Sequence, residues 1–521
     1  MKFIYFLAYR IFAAVFVRTF YNPDEFFQSM EVAHRMAFGY GAITWEWKEG
    51  LRSFLYPLII SFVYWILEAL GLDQPYNLIL APRLMQGTLQ AIGEYCFVKF
   101  IRKNFGNRIA NMTTFFLMVN FFNFHIGVRT LTNSIEMSLL LIVLYLYPFS
   151  FEKGRSYWQY MIVAALAFCI RCTCIVIFIP LGVSHLVRDW TNFWKSFRIA
   201  IGPSLLLLAA STAVDSYFCE RFVFNPYHFF MFNVYNQGST IFGVEKFTYY
   251  LTSVIPDQLH ILTLPFVLQW FSMFRRKKDG QLEILWQIAG TYVFSLFVTS
   301  LNPHKEERFI LPLLPLSIFM ASVTVVQWEE WLIKNRSKVA RFLIIWFCTT
   351  CFLSDSMLII KKSRFDGRGR IDVTLRLAES LDEDRRIQGR TPSILFLGEC
   401  YGYPLASGIH RPIPTRFVAC TDQTYYLKKA PFWLHAYIKK LGKTSDEITH
   451  LYFGYSGNLY ASEPLLNWLD FTGDIIFEPN KLTNYKDSRT TDTVAIRRDF
   501  SRRTEWLATR ELPPAAGEED Y

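Results

Sequence analysis

The sequence predicts a polytopic α-helical membrane protein that ends in a small α/β domain. Of the 521 residues, 52% are hydrophobic, 18% are aromatic and only 19% are charged, whereas soluble proteins carry roughly 25% charged residues. The mean hydropathy is +0.20. Apolar runs long enough to cross a bilayer recur as far as residue 360, and a more polar stretch follows them.

We expect about eleven crossings, since a transmembrane helix needs about 20 mainly apolar residues. The segment 156–188 is long enough for two short spans, and the other predicted spans are 3–20, 77–100, 108–125, 131–149, 198–218, 252–274, 283–301, 308–327 and 341–360. Residues 51–71 are also apolar enough to cross. A crossing there would move every later basic loop to the other side, so we predict an interfacial or re-entrant helix. The alternative is that 51–71 spans and another weak segment does not.

The net charge of +10 is spread over short loops between apolar runs. That distribution fits cytoplasmic membrane loops better than a nucleic-acid surface, because cytoplasmic loops are enriched in Lys and Arg. Five basic loops fall on one side of the predicted bundle, near 102–108, 153–155, 188–198, 275–278 and 334–341. The opposite, non-cytosolic side then holds the first loop (21–76), the aromatic loop 220–258 and the short loop 302–308.

The first loop places two adjacent carboxylates, Asp24 and Glu25, where a predicted span ends. From Pro23 onward the pattern predicts a helix, since proline fits the first turn and acidic residues suit the positive end of the helix dipole. Helical spacing puts Asp24, Gln28 and Glu31 on one polar face with Arg35. Glu25 is predicted to turn toward a flank near Arg52 or Ser29. The alternative is that the two carboxylates only cap the helix.

A second charged group, His304 to Arg308, lies between two spans in the sequence NPHKEERFILP. Lys and Arg beside a span often extend to the lipid headgroups, which is the simpler explanation. This group, however, lies on the side where positive charge is disfavoured. Cations beside a membrane site suit a phosphate, because they bind the anion and stabilise charge that develops on a phosphate leaving group.

The chain after residue 360 alternates short β-like and helical patterns and predicts a small α/β domain over 361–510 on the non-cytosolic side. The predicted strands are 393–397, 450–453, 474–477 and 492–496, and the predicted helices are 372–381, 431–441 and 463–469. The acidic, proline-containing tail 511–521 is predicted to be disordered. The predicted organisation is therefore a transmembrane catalytic domain over 1–360, the α/β domain and the tail.

Several segments resemble one enzyme family. NPDEFFQSMEVAHRMAFGYGAITWEWKEGLRSFLYPL resembles the first lumenal loop of the dolichyl-phosphate-mannose-dependent mannosyltransferases of the GT-C superfamily (glycosyltransferase family 22), and PHKEERFILPLLP resembles their second signature. Further similarity lies at APRLMQG, LTNSIEMSLL and NPYHFFMFNVYNQGSTIFG. The fuller pattern is most similar to the members that add the third, α-1,2-linked mannose to the glycosylphosphatidylinositol (GPI) precursor in the endoplasmic reticulum membrane. The segment 244–256 departs from the expected Trp/His-rich pattern.

The resemblance implies a GT-C fold, an active site facing the lumen, and inverting transfer of mannose from dolichyl-phosphate mannose to a GPI precursor. An inverting reaction needs one general base, for which Asp24 is the first candidate and Glu25 the second or an orienting partner. It also implies that His304, Lys305 and Arg308 hold the donor phosphate and that Glu306 orients one of these cations. Gln28, Glu31 and Arg52 complete the predicted substrate site, without a cofactor or metal.

Two alternatives to this function remain at the level of sequence. One is a related α-1,2- or α-1,6-mannosyltransferase of N-glycan precursor assembly, since HKEERF is shared with those enzymes. The other is a polytopic lipid or solute transporter, where charges within the membrane mark a pathway. A transporter of that kind would favour inverted repeats, which the sequence does not display convincingly.

Overall fold

The computed structural model is a bundle of α-helices and describes residues 2–149, 156–275, 279–334, 338–388, 394–396, 401–412 and 415–417. The helices up to the middle of the chain are α1 Phe3–Phe16, α2 Glu31–Phe38, α3 Trp45–Lys48, α4 Leu55–Ala69, α5 Pro75–Val119, α6 Phe121–Ile126, α7 Thr132–Leu146, α8 Trp158–Ile170, α9 Ile175–Arg188 and α10 Trp190–Cys219. They are followed by α11 Asn225–Phe230, α12 Ile255–Leu259, α13 Thr263–Arg275, α14 Gly280–Leu301, α15 Leu314–Lys334, α16 Lys338–Ile360, α17 Arg368–Gln388 and α18 Ala406–Ile409.

Each predicted crossing corresponds to helical structure, but the bounds differ. Within the described residues, five helical stretches are long and apolar enough to cross a membrane, namely Trp190–Cys219, Tyr250–Arg275, Gly280–Leu301, Glu307–Leu332 and Phe342–Leu381. Shorter apolar helices include α1, α4, α7 and α8. The 15 residues of α4 rise only about 22 Å, less than the roughly 30 Å of a hydrocarbon core. The helices α1 and α7, with 14 and 15 residues, are no longer than α4, so helix length does not separate 51–71 from the predicted crossings, and its interfacial placement stays a prediction.

The two spans predicted at 77–100 and 108–125 correspond to the two parts of the 45-residue segment α5. A kink at Gly106, where φ is 85° and ψ is 175°, separates these parts. This positive φ is accessible to glycine because it lacks a Cβ atom. The kink therefore lies where the sequence predicts a connection between two spans.

The core of the bundle lies where α5 packs against α1, α7 and α15. In addition to apolar contacts, buried ion pairs connect the helices across this core. Arg10 of α1 bonds to Glu94 of α5, and the Nδ2 of Asn123 donates to the same carboxylate at 2.8 Å. Burying charges is costly unless their hydrogen bonds are satisfied. The paired partners explain how Arg10 can sit inside an apolar bundle.

Only the beginning of the predicted α/β domain falls within the described residues. The predicted helix 372–381 is confirmed and extended to α17, and the predicted strand 393–397 corresponds to β1 (Ile394–Phe396). β1 pairs in parallel with β2 (Thr415–Phe417). The predicted strands beyond 417, the helices 431–441 and 463–469, and the tail 511–521 lie outside the described residues.

The segment from α17 to α18 packs against the first loop. Ile371, Leu377 and Leu405 form one buried cluster with Phe26 and Phe27 of that loop. The first loop thus lies between the membrane bundle and the polypeptide that follows the last predicted span.

Candidate functional site

A tight turn after α1 presents Asp24 at the start of a helical segment. The side-chain Oδ1 of Asn22 accepts a hydrogen bond from the backbone N–H of Asp24 at 2.9 Å, which satisfies one of the free donors at a helix start. A π-helical turn over Phe26–Met30 follows and leads into α2, which ends at Gly39 with φ 80°. The predicted helix is therefore present, but its first part is wider than an α-helix.

The π-helical turn changes which side chains share a face. A π-helix closes its hydrogen bonds over five residues instead of four, so each such turn rotates the following side chains relative to an α-helix. Gln28 points into a cleft near Asp24, whereas Glu31 points to residues 405–407 and Arg35 is exposed. The prediction that these four residues share one polar face is wrong for this reason.

Asp24 forms an ion pair with Arg308, which joins the two charged segments predicted from sequence. Nη1 of Arg308 donates to Oδ2 of Asp24, while its Nε and Nη2 donate to the two carboxylate oxygens of Glu306 at 2.7 and 2.9 Å. The Arg308 side chain is 7% exposed and that of Asp24 is 20% exposed. One guanidinium thus bridges two carboxylates at the edge of a water-accessible site.

The other residues of the second segment lie behind this pair. His304 Nε2 lies 3.1 Å from Glu306 Oε1, and its Nδ1 lies 3.0 Å from the carbonyl oxygen of Gly243. Lys305 Nζ donates to the carbonyl oxygens of Asn302 and Glu245 at 2.7 and 3.1 Å. Of the three predicted phosphate ligands, only Arg308 contacts Asp24, while His304 and Lys305 hold the 243–245 segment.

The electrostatics make the two carboxylates beside Arg308 unlike each other. Burial raises the pKa of Asp24, and Arg308 offsets only part of that effect. For Glu306 burial acts in the same direction, but Arg308 and His304 outweigh it and hold its pKa below the usual range. Asp24 is consequently the stronger base of the pair. Diverging pKa values of neighbouring carboxylates are typical of an acid–base site.

Glu25 faces away from Asp24 into a buried cluster of charges. Its two carboxylate oxygens accept from Arg83 Nε at 2.8 Å and from Arg129 Nη1 at 2.5 Å, and its side chain is fully buried. The same arginines donate to the carbonyl oxygen of Thr19. The carboxylate of Glu25 therefore does not face Arg52 or Ser29 as predicted, because an arginine of α5 and one that follows α6 occupy its two oxygens. The hydroxyl of Ser29 donates to the backbone carbonyl of Glu25 instead. Glu25 holds the turn that carries Asp24.

Glu31 is a structural residue in this arrangement. Its carboxylate accepts hydrogen bonds from the backbone N–H groups of Leu405, Ala406 and Ser407 at 2.8, 3.0 and 3.1 Å, and from the hydroxyl of Ser407 at 2.6 Å. It is fully buried. Both carboxylate oxygens of Glu31 accept these hydrogen bonds, so the side chain does not face the cleft. This position differs from the one that the predicted role in substrate binding requires.

A narrow cleft of about 20 Å³ lies near Asp24 and is lined by residues that include Gln28, Trp47, Arg52, Thr132, Arg171 and Phe229. Arg52 donates to Glu46 at 3.1 Å, and its positive charge also acts on Asp24. The cleft therefore brings two of the predicted residues, Gln28 and Arg52, close to the base.

Arg171 is the residue of this cleft that the sequence analysis missed. It lies between α8 and α9, inside the apolar stretch 156–188, and its Nε is 3.0 Å from Oε2 of Glu136. A charged residue inside an apolar run is itself a signal of function. That signal identifies Arg171, although the apolar stretch as a whole predicts only membrane spans.

Within the part of the chain that the structure describes, no group of three His, Cys, Asp or Glu side chains is placed to hold a metal ion. The predicted absence of a metal or cofactor stays a prediction. The fold and this charged pair between two loops, at one end of a helical bundle, are those of an integral membrane protein with a candidate site at the end of its helices. The chain belongs to the Alg9-like mannosyltransferase family, whose model matches residues 1–410. It is thus an integral membrane glycosyltransferase.

Individual relatives are similar over most of the chain. The chain is 33% identical over 429 residues to the Drosophila melanogaster protein named GPI mannosyltransferase 3, which covers 81% of this chain and 72% of that protein. It is 29% identical over 440 residues to the Homo sapiens GPI alpha-1,2-mannosyltransferase 3, covering 82% and 76%. The Schizosaccharomyces pombe GPI mannosyltransferase 3 is 30% identical over 508 residues, covering 86% of this chain and 94% of that protein.

A solved structure with a similar fold is ArnT from Cupriavidus metallidurans bound to undecaprenyl phosphate. It superposes with a TM-score of 0.55 and 14% identity, over 82% of this chain and 87% of that chain. This likeness concerns the fold alone. Together with the family match, it confirms the predicted GT-C fold.

Proposed function

We propose that the protein transfers mannose, with inversion, from dolichyl-phosphate mannose to the 2-hydroxyl of the second mannose of the GPI precursor. The observation that carries this proposal is the contact between Asp24 and Arg308. It joins a general base and a phosphate-binding cation in one site. The similarity to proteins named GPI mannosyltransferase 3 supports the acceptor.

In the proposed reaction Asp24 accepts the proton of the acceptor hydroxyl as its oxygen attacks the anomeric carbon of the donor mannose. The bond between that carbon and the phosphate oxygen breaks, and dolichyl phosphate leaves with the electron pair. Arg308 and Arg52 stabilise the negative charge on the leaving phosphate. Phosphate is already a good leaving group, so the proposal requires no covalent sugar intermediate.

The ion pair suggests an order for the two substrates. While Arg308 donates to Asp24, the carboxylate is stabilised in its charged form and is a weaker base. A donor phosphate competes with Asp24 for the same guanidinium. Binding of the donor therefore frees the carboxylate to accept a proton before the acceptor reacts.

The alternative acceptors are the mannose-containing precursors of N-glycans. Purified protein should transfer mannose from dolichyl-phosphate mannose to a GPI lipid with two mannoses, and not to N-glycan precursors. Transfer to the N-glycan lipids alone would refute the proposed acceptor while leaving the family in place. The transporter alternative has no support in the family match.

We further propose that the cleft faces the lumen of the endoplasmic reticulum. The basic loops predicted from sequence favour this orientation. Exposed positions at opposite ends of the bundle are suited to the test. An Asn-x-Thr acceptor in a short insertion after Arg221 should be glycosylated, and the same insertion beside Asp279 should remain unmodified. The reverse pattern would overturn the orientation.

A further inference from the structure

A second cavity within the described residues lies far from Asp24, at the other end of the bundle. It encloses about 780 Å³ between the break in α5, the end of α13 and the second half of α15. The helix α15 begins beside the site, and Glu330 lies sixteen residues after its first residue, Leu314. At 1.5 Å per residue this separates the cavity from the site by about 24 Å.

The cavity combines cations, hydrogen-bond donors and apolar side chains. Arg108 and Arg275 line it, and the carboxylate of Glu330 lies 3.6 Å from Arg108. Two guanidinium groups against one carboxylate leave an excess of positive charge. Because Arg108 and Glu330 are 67% and 56% exposed, their mutual attraction is weak in water. Both arginines thus remain available to an anion.

A buried amide beside the cavity also lacks a partner. Gln269 is fully buried, and its Oε1 accepts from Thr324, a residue of the cavity wall. Its Nε2 donates no hydrogen bond to the protein. Such a buried donor is costly unless water or a ligand accepts from it. Gln269 does not itself line the cavity, so its amide adds polar character behind the wall and does not contact an occupant.

We propose that this cavity binds the headgroup of an anionic glycerophospholipid, with Arg108 and Arg275 contacting its phosphate. Phe271 lines the cavity and is 61% exposed, so an apolar wall continues from the cations toward the bundle surface. An acyl chain would cover that ring, whereas a free phosphate ion would not. Basic pockets between transmembrane helices on the cytoplasmic side are a recurrent form of anionic-lipid site.

The test is lipid retention by the intact protein, which does not depend on transfer activity. Purified full-length chain is mixed with phosphatidylserine or phosphatidylcholine of the same acyl composition, and bound lipid is measured by native mass spectrometry. Wild type should retain phosphatidylserine preferentially. In the double variant Arg108→Gln, Arg275→Gln, the ratio of bound phosphatidylserine to bound phosphatidylcholine should fall roughly tenfold. The matched control Lys195→Gln, Arg198→Gln removes two exposed cations elsewhere and should keep it.

Equal retention of the two lipids by wild type, or an equal loss in the control variant, would overturn the proposal. Inorganic phosphate at millimolar concentration should not displace phosphatidylserine. Displacement would instead identify a site for a soluble anion. A second measurement needs no variant: a photoactivatable phosphatidylserine should label peptides that contain Phe271 or Trp328. Labelling confined to other helices would exclude this cavity even if the double variant did not fold.

Discussion

Arg308 donates to the carboxylate of Asp24 across 284 residues of chain. The pair links the first loop with the segment that precedes α15, and no local sequence pattern connects them. A second bond between the same segments, from the hydroxyl of Tyr21 to Glu307, reinforces the link. The position of the Asp24 carboxylate therefore depends on how the two loops pack at the end of the bundle.

The first prediction concerns the base. Asp24→Asn keeps the volume of the side chain but removes its ability to accept a proton, so transfer should fall by about 10²- to 10⁴-fold. Mannose transfer from dolichyl-phosphate mannose measures the rate, and binding of the donor should persist. Glu49→Gln, an exposed change in the same loop, is the control. A variant at position 24 with near wild-type turnover would exclude Asp24 as the base.

The second prediction separates Glu25 from catalysis. Glu25→Gln leaves Arg83 and Arg129 buried without a charged partner, and breaking a buried ion pair costs about 3–5 kcal/mol. Thermal unfolding of the purified protein should show this loss. Adding Arg129→Gln to the Glu25→Gln variant should cost less than the sum of the two single changes. Normal stability combined with abolished transfer would instead indicate a direct role in the reaction.

The third prediction concerns the forked geometry of Arg308. Lysine keeps the positive charge but presents a single ammonium group, so it cannot bridge Asp24 and both oxygens of Glu306. Loss of one charged hydrogen bond costs about 1.5–3 kcal/mol, which corresponds to about tenfold or more in kcat/KM for the donor. Arg35→Lys, an exposed change in α2, should have no such effect. Unchanged donor kinetics in Arg308→Lys would show that charge alone is sufficient.

The fourth prediction is a pH dependence of stability at the junction between the first loop and residue 410. His34 Nε2 lies 2.9 Å from His410 Nδ1, and His410 Nε2 lies 3.2 Å from Asp73. Burial lowers the pKa of His34 to about 3 and also lowers that of His410. Since the unfolded chain binds protons more readily than this folded pair, the folded state loses stability as the pH falls below about 6.5.

The expected loss from His34 alone is about 1.4 kcal/mol at one pH unit below that value, and it grows toward its folded pKa. Melting temperatures recorded across this pH range test the effect. His34→Gln cannot gain the proton and should flatten the profile, whereas His228→Gln, at a half-buried histidine outside this junction, should not. A wild-type profile that is flat between neutral pH and about pH 5 would contradict the assignment.

The sequence was sufficient to predict the helical bundle, because apolar runs predict helices regardless of what the helices contact. The bias of the basic loops predicts that the segments of Asp24 and Arg308 lie on one side of the membrane, and the two side chains are in contact. Gln28 and Arg52 line a cleft near this pair. The roles of these four residues in catalysis and substrate binding stay predictions.

The contacts of Glu25 and Glu31 could not be derived in this way, and Arg171 was overlooked. Glu25 is occupied by arginines 58 and 104 residues away, a separation at which pattern carries no information. The π-helical turn after Glu25 rotates Glu31 out of the predicted face, and helical periodicity assumes that no such turn exists. Arg171 was hidden because an apolar window averages over a single charge.

The bonds between Glu31 and residues 405–407 impose an order on biosynthesis. The carboxylate is made some 374 residues before its first backbone donor, which at 5–20 residues per second is an interval of roughly 20–75 seconds. Throughout that time the Glu31 carboxylate of the growing chain lacks the backbone N–H donors that it has when it is buried in the finished protein. An unfinished polypeptide therefore differs from a finished one in the first loop, where the Glu31 carboxylate gains its backbone donors only after residues 405–407 have been made.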